Sequence, residues 1–242
     1  YRYILRVPEE QAASNGQRLA SELGPLERGN IVHRVCEHLR PEQDLEQLLD
    51  WAISMEGLSL QQAERQELWE IVNRYLNSAY YQDAKIKQIN HEVEFTVPVE
   101  EQFLITGAVD QIVEDKNGIT IMDLKTNYIT AEQVPEVAAS YYWQLRIYAW
   151  AINKSFGKPI SKTMLYFLFP DVIHTDEDAH LLIPETEEWL RKTCQHIQQC
   201  AAHGGEEFPM IDDCTFCGYN CRQLEKAQEN FVNLLAGLGK LS

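Results

Sequence analysis

Three residues of this 242-residue chain read as the reactive end of a β-hairpin: Asp110, Asp123 and Lys125. The stretch 105–126, ITGAVDQIVEDKNGITIMDLKT, has the pattern of two short strands joined by a turn at Lys116-Asn117-Gly118. Asp110 sits in the first arm, Asp123 and Lys125 in the second. Two residues apart in a strand, Asp123 and Lys125 leave the same face. In isolation such a pair is an exposed ion pair of little energetic weight. Ile119, Ile121 and Met122 lead directly into it, so this strand is expected to be largely buried, and burying an acid and a base near another acid needs a compensating interaction. A divalent cation supplies one. Two carboxylates, the Leu124 backbone carbonyl and water are hard oxygen ligands of the kind that Mg2+ or Mn2+ prefers. In such an arrangement Lys125 can orient or help deprotonate a metal-bound water, and the metal can stabilise charge on a phosphate in flight.

The flanking elements must position these groups. Residues 30–39 form an apolar helical stripe (Ile31, Val32, Val35, Cys36, Leu39) with Asn30 as a plausible N-cap, and place His33 on that helix. Further helices are predicted from Pro41 to about Ser54 and from Ser59 to about Ser78. The period then changes to alternation in 89–99, where Val93, Phe95 and Val97 point one way and Glu92, Glu94 and Thr96 the other. A helix is expected over 134–152, strands over 162–169 and 179–183, a helix from Pro184 to about Ala202 and another over 223–238. On the first of these, Gln144 and Tyr148 are four apart and share a face; that face either reaches phosphate or Lys125, or is the polar edge of an aromatic-rich helix. The order predicts an α/β fold, a mixed central sheet flanked by helices with a helical N-terminal third. The expected parts are 1–80, helical and carrying His33; 86–183, the sheet and the Gln144 helix; and 184–242, helices and a cysteine cluster, within one domain spanning 1–242.

The formal net charge of −16 argues against a surface that grips nucleic acid everywhere, without excluding a nuclease whose metal site is itself acidic. No apolar run reaches the length of a membrane span and no secretory leader is visible, so a cytoplasmic protein without a membrane partner is expected. The opening at Tyr1 without an initiator Met suggests a piece of a longer protein. No phosphate-binding loop of the G-x-x-x-x-G-K-[ST] type is present, so ATP hydrolysis is not expected of this chain. Three of the six cysteines, Cys214, Cys217 and Cys221, lie within eight residues, which fits a metal site better than a disulfide framework. Cys194 and Cys200 lie on a helix and read as structural.

Four ordered motifs now resemble one family. Gly107-Ala108-Val109-Asp110 followed by Asp123-Leu124-Lys125 is similar to the G-x-x-D … D-x-K core of the PD-(D/E)XK nucleases, and within them of the RecB-like branch. Gly29-Asn30-Ile31-Val32-His33 resembles its upstream G-x-x-x-H helix, and Gln144 to Tyr148 its Q-x-x-x-Y helix. The resemblance implies a restriction-endonuclease-like fold and a metal held by His33, Asp110, Asp123 and the Leu124 carbonyl. It makes Lys125 the group that positions or activates the nucleophile, with Gln144, Tyr148 and Glu92 as supporting site residues and Glu94 as the rival of Glu92. It further implies a metal-dependent DNA exonuclease acting on single strands or duplex ends. The nearest likeness is to the C-terminal nuclease domain of RecB/AddA-type helicase–nucleases, with a helicase motor upstream, in double-strand-break repair. The alternative is a catalytically inactive nuclease-fold domain that binds DNA or serves a structural role. Some members carry a four-cysteine [4Fe–4S] staple. Here C-x-x-C-x-x-x-C is two residues shorter than the usual spacing, and the upstream cysteine would fall just before Tyr1. The cluster is therefore open between [4Fe–4S] completed from outside or by Cys36, a Zn2+ site, and free thiols.

Overall fold

The computed structural model of the protein describes residues 3–6, 23–40, 43–86 and 88–202. Between residues 25 and 86 the described chain is mostly helical. α1 (Pro25–His38) starts with Pro in its first turn, where the missing N–H is no loss, and buries Ile31, Val32, Val35 and Cys36. It therefore begins more than a turn before Asn30. That residue is not the N-cap; its side-chain amide donates instead to Glu56 at 3.2 Å. α2 (Leu45–Met55) starts later than Pro41 because Asp44 caps it, accepting from the Glu46 N–H at 2.9 Å. α3 (Gln62–Asn77) ends at an extended Ser78, and a further helix that the pattern did not announce, α4 (Ala79–Ile86), follows.

Among the described residues six strands form one mixed sheet: β1 (Tyr3–Arg6), β2 (Ile89–Glu100), β3 (Phe103–Asp115), β4 (Gly118–Lys125), β5 (Ile160–Phe167) and β6 (Val172–Asp176). The predicted hairpin is β3–β4. Its turn needs glycine: Gly118 has φ +128°, and a Cβ there would drive into the Pro159 carbonyl, which already accepts from the Ile119 N–H at 2.8 Å. Between β4 and its parallel neighbour β5 the single helix expected over 134–152 is two, α5 (Val134–Ser140) and α6 (Tyr142–Phe156), broken at Tyr141. The strand expected at 179–183 is instead a 3-10 turn, Ala179–Leu182, leading into α7 (Ile183–Ala202). A short apolar run does not distinguish strand from helix. The sixth strand is the more polar VIHTD segment, which completes its backbone bonding antiparallel to β5.

Helices cover both faces of the sheet. α1, α2 and α3 pack on Met122, Leu124, Met164 and Tyr166. α6 and α7 pack on Phe95, Val97, Ile105, Val109, Ile112, Ile119 and Ile121, while α5 and the start of α6 cover Leu165 and Phe167. Between these layers β4 is buried at every position. No helix among the described residues is long and apolar enough to cross a membrane. The helix expected over 223–238 and the cluster of Cys214, Cys217 and Cys221 lie outside the described residues.

The sheet forks where the chemistry was expected. β2 occupies one edge of β3 from Phe103 to Val113. The other edge is shared: β1 pairs with Phe103 to Thr106, and β4 with Gln111 to Asp115. Gly107-Ala108-Val109-Asp110 lies in the gap between them. After Met122, β4 leaves β3 and runs on with β5 alone, pairing Asp123 with Leu165 and Lys125 with Phe167.

Candidate active site

Asp110 sits in the crotch of this fork. Its Oδ2 accepts the Leu124 N–H at 2.6 Å, taking a backbone donor that a continued β3–β4 ladder would have used. Its Oδ1 lies 3.3 Å from His33 Nδ1, which α1 brings across the gap. Burial alone would raise the Asp110 pKa. The charge and hydrogen bond of His33, the Lys125 ammonium and the Leu124 N–H outweigh it, and the carboxyl is held below the usual range. It is therefore ionised at neutral pH, as a cation ligand must be.

Glu92 reaches the same place through a distortion shared by two strands. Val93, Phe95, Val97, Ile105 and Val109 pack under α6 and α7. Regular alternation would put His91 and Gln111 on that face too. Instead the face is taken up by Ile112, while Gln111 bonds to tyrosines of α3 and α4 and His91 feels Arg40 and His38 on the α1 side. Burial, then Arg40, pushes His91 down to about 4, so it adds no charge beside the site near neutral pH. Both strands thus exchange faces at one rung, that of Glu92 and Asp110. The ladder steps from His91↔Gln111 to Val93↔Val109, and Glu92 lies in the left-handed region with φ +45°. One consequence is convergence: donor atoms of His33, Glu92 and Asp110 all lie within 4.8 Å of one another. One imidazole and two carboxylates on three separate elements, with a strained backbone holding one of them, fit a divalent cation such as Mn2+ or Mg2+. Glu94, the sequence rival of Glu92, is exposed.

Asp123 and Lys125 leave β4 toward α6 and are almost fully buried. Lys125 Nζ is 2.6 Å from Asp123 Oδ2, with side-chain exposures of 1 % and 3 %. The ammonium also donates to Gln144 Oε1 at 3.2 Å and lies 4.1 Å from the centre of the Tyr141 ring. Gln144 Nε2 in turn donates to the Tyr148 hydroxyl at 3.0 Å, and Tyr148 packs edge-on against Phe95. Burial, followed by the charges of Asp123 and Asp110, raises the Tyr148 pKa, so the phenol keeps its proton. The Q-x-x-x-Y pair is thus a brace that fixes the direction of the Lys125 ammonium.

The described structure brings His33, Glu92 and Asp110 into one cluster, and Asp123, Lys125, Gln144 and Tyr148 into a second. The Lys125 charge acting on Asp110 and the Leu124 peptide link the two. Cys36 and Cys194 are buried thiols, with Cys36 inside the core beneath α1. Two supports of the site went unread in the sequence, Gln111 and the break at Tyr141. The signal for Gln111 was present as a second polar residue, beside Asp110, among Val109, Ile112 and Val113.

A family model described as the PD-(D/E)XK nuclease superfamily matches residues 1–222. Three curated relatives are each described as a subunit of an ATP-dependent helicase/nuclease. The one from Alkaliphilus oremlandii is 23 % identical over 163 residues, covering 60 % of this chain and 14 % of that protein. The one from Bacillus cytotoxicus is 27 % identical over 177 residues, covering 63 % and 14 %. The one from a Bacillus cereus strain is 28 % identical over 166 residues, covering 58 % and 13 %. The matched part is thus a small fraction of these relatives' length. Among solved structures, one described as "Crystal structure of SSO0001" is 19 % identical, covers 72 % of this chain and 79 % of that one, and superposes with a TM-score of 0.32, too loosely to carry an argument.

Proposed function

Because this chain belongs to the PD-(D/E)XK nuclease superfamily, we propose that it is the divalent-metal-dependent DNA nuclease portion of a helicase–nuclease. It would hydrolyse phosphodiester bonds, as an exonuclease on single strands or duplex ends. The observation that carries this reading is the convergence of His33, Glu92 and Asp110 beside a buried and braced Asp123–Lys125 pair. His33, Asp110 and Glu92 would hold the cation, with Asp123 and the Leu124 carbonyl of the adjoining strand as the further ligands that the family resemblance implies. When bound, the cation supplies positive charge to the phosphate and lowers the pKa of a neighbouring water.

The remaining work falls to the chain's own groups. Lys125 is held by Asp123, Gln144 and the Tyr141 ring, so its donors have a fixed direction in which to orient the attacking water or a phosphate oxygen. Asp123, 2.6 Å from Lys125 Nζ, is the carboxylate placed to accept a proton that leaves it. The paired helicase activity in the relatives' names supports a motor elsewhere in the same polypeptide or complex delivering the strand. Cys214, Cys217 and Cys221 would bind an iron–sulfur cluster or Zn2+, a choice read from the visible absorption and metal content of the purified protein.

The test is cleavage of end-labelled single- and double-stranded DNA with Mg2+, Mn2+ or EDTA. Wild type is expected to degrade DNA only with metal. Asp110→Ala, Asp123→Ala and Lys125→Ala are each expected to lose at least about a hundredfold in rate. Cleavage that persists in EDTA, or in both Asp123→Ala and Lys125→Ala, overturns the assignment.

A further inference from the structure

We propose that Gln111 is a positioning residue for the cation cluster: clamped by two tyrosine hydroxyls, it locks the rung at which β2 and β3 exchange faces and thereby aims Glu92 and Asp110 at His33. The inference rests on the reading of that cluster as a cation site, and concerns a residue that touches none of the reacting atoms.

Gln111 is 1 % exposed, and its primary amide would be costly to bury without partners. Both halves are matched. Nε2 donates to the Tyr75 hydroxyl at 2.6 Å, and Oε1 accepts from the Tyr80 hydroxyl at 3.2 Å. Tyr75 is a fully buried residue of α3, seated against Tyr81 and Tyr166; Tyr80 belongs to α4 and stacks edge-on against Tyr166. These anchors lie on the α1–α3 side of the sheet. Plain alternation from Val109 would carry residue 111 to the opposite side, into the largely apolar layer under α6 and away from both tyrosine hydroxyls. Gln111 therefore discriminates between the two alternative phases of β3. In the observed phase Gln111 has two partners; the regular phase gives up both of these bonds, together with the pairing of the two tyrosine hydroxyls. Sheets specify register and facing by such choices.

The selected phase determines the site. Asp110 is the residue at which β3 crosses over, and Glu92 is its counterpart on β2, held at φ +45°. A glutamate does not adopt that conformation on its own account, so the surrounding structure must impose it. The clamp holds the immediate chain neighbour of Asp110, and Tyr80 is near enough to that carboxylate to feel its charge. The chain of dependence runs from Tyr75 and Tyr80 to Gln111, from Gln111 to the crossover, and from the crossover to two of the three converging donors.

The experiment uses Gln111→Leu, which keeps the bulk and removes the amide. Tyr80→Phe is a milder second variant, and Leu49→Ala is a destabilised control on α2, an element that supplies none of the converging donors. Two measurements are made. Mn2+ binding is followed by electron paramagnetic resonance, with thermal melting in EDTA alongside, and the metal-free Gln111→Leu protein is crystallised. Expected are a Mn2+ affinity at least about tenfold weaker in Gln111→Leu, an intermediate loss in Tyr80→Phe, unchanged affinity in Leu49→Ala, and a Glu92 φ returned to negative values. The proposal is overturned if Gln111→Leu retains the positive φ and wild-type Mn2+ affinity, or if Leu49→Ala loses affinity in step with its melting temperature. Failure of the cation reading itself looks different: His33→Ala and Asp110→Ala bind Mn2+ as wild type does, while the crystallographic φ still decides the role of the clamp.

Discussion

Replacing Glu92 by glycine and by alanine separates the backbone from the carboxylate. Both variants delete the carboxylate and all its contacts; they differ in a single Cβ at φ +45°. An L-residue in the left-handed region carries roughly 1–2 kcal/mol of strain that glycine avoids. Glycine is in turn disfavoured by about 0.5–1 kcal/mol through its greater freedom in the unfolded chain. The difference leaves Glu92→Gly the more stable by on the order of 0.5–1 kcal/mol, or roughly 1–4 °C in melting temperature at this chain length. The second comparison adds Mn2+. A ligand at a hundredfold its Kd stabilises the folded state by about 2.7 kcal/mol. Wild type should show that shift, and both variants, reduced to two of three converging donors, should lose most of it. The assay is thermal unfolding followed by circular dichroism, in EDTA and in Mn2+. If Glu92→Ala melts at or above Glu92→Gly in EDTA, the left-handed backbone and the crossover built on it are wrong. If both variants keep the Mn2+ shift, Glu92 is not a ligand.

Other substitutions probe the rest of the site. Lys125→Met leaves the Asp123 carboxylate buried without its counter-charge, and in EDTA should cost about 3–5 kcal/mol by urea unfolding, besides abolishing cleavage. Asp110 has a folded pKa below its ordinary value of 3.8, so its contribution to stability is present above that pH and is lost as the pH falls through the lower, folded value. Urea midpoints of wild type and Asp110→Asn should therefore differ less below pH 3.8 than above it, and a gap that widens on acidification would reverse the assignment. Gly118→Ala forces a Cβ into the Pro159 carbonyl at φ +128° and should lower the melting temperature by several degrees, with a loss of more than about 1 kcal/mol. A neutral effect would mean that the β3–β4 turn is not as described.

Much of this site was legible in the sequence because its parts obey local rules. Period-two alternation placed Asp123 and Lys125 on one face of a buried strand, and helical spacing put Gln144 and Tyr148 on one side of α6, where they brace Lys125. The helical stripe under His33 was read correctly although the start of α1 was not: Asn30 is a good capping residue, but Pro25 offers an earlier start and Glu56 a partner for the Asn30 amide. What failed was whatever depends on contacts across the fold. Alternation put Glu92 and Glu94 on one face with nothing to separate them, since the crossover that turns Glu92 inward is decided by tyrosines many residues away. The strand at Val172–Asp176 is half exposed and has no apolar pattern; it exists through its pairing with β5. The split of α5 from α6 at Tyr141 places that ring over the Lys125 ammonium, an interaction with no counterpart in helical periodicity.

The crossover at Glu92 also bears on how this sheet avoids adding strands from other molecules. Among the described residues β2 pairs only with β3, so its outer side presents twelve residues of strand edge. A flat edge of that length is a template for intermolecular pairing. The left-handed kink at Glu92 divides it, and Pro98, with the register shift that follows, removes a donor near its end. Exposed Glu94 adds charge to the segment between them. The bend that directs a carboxylate inward thus leaves no uninterrupted edge longer than about five residues for a neighbouring chain to dock against, and a variant that straightens β2 is expected to gain solution aggregation as it loses its cation site.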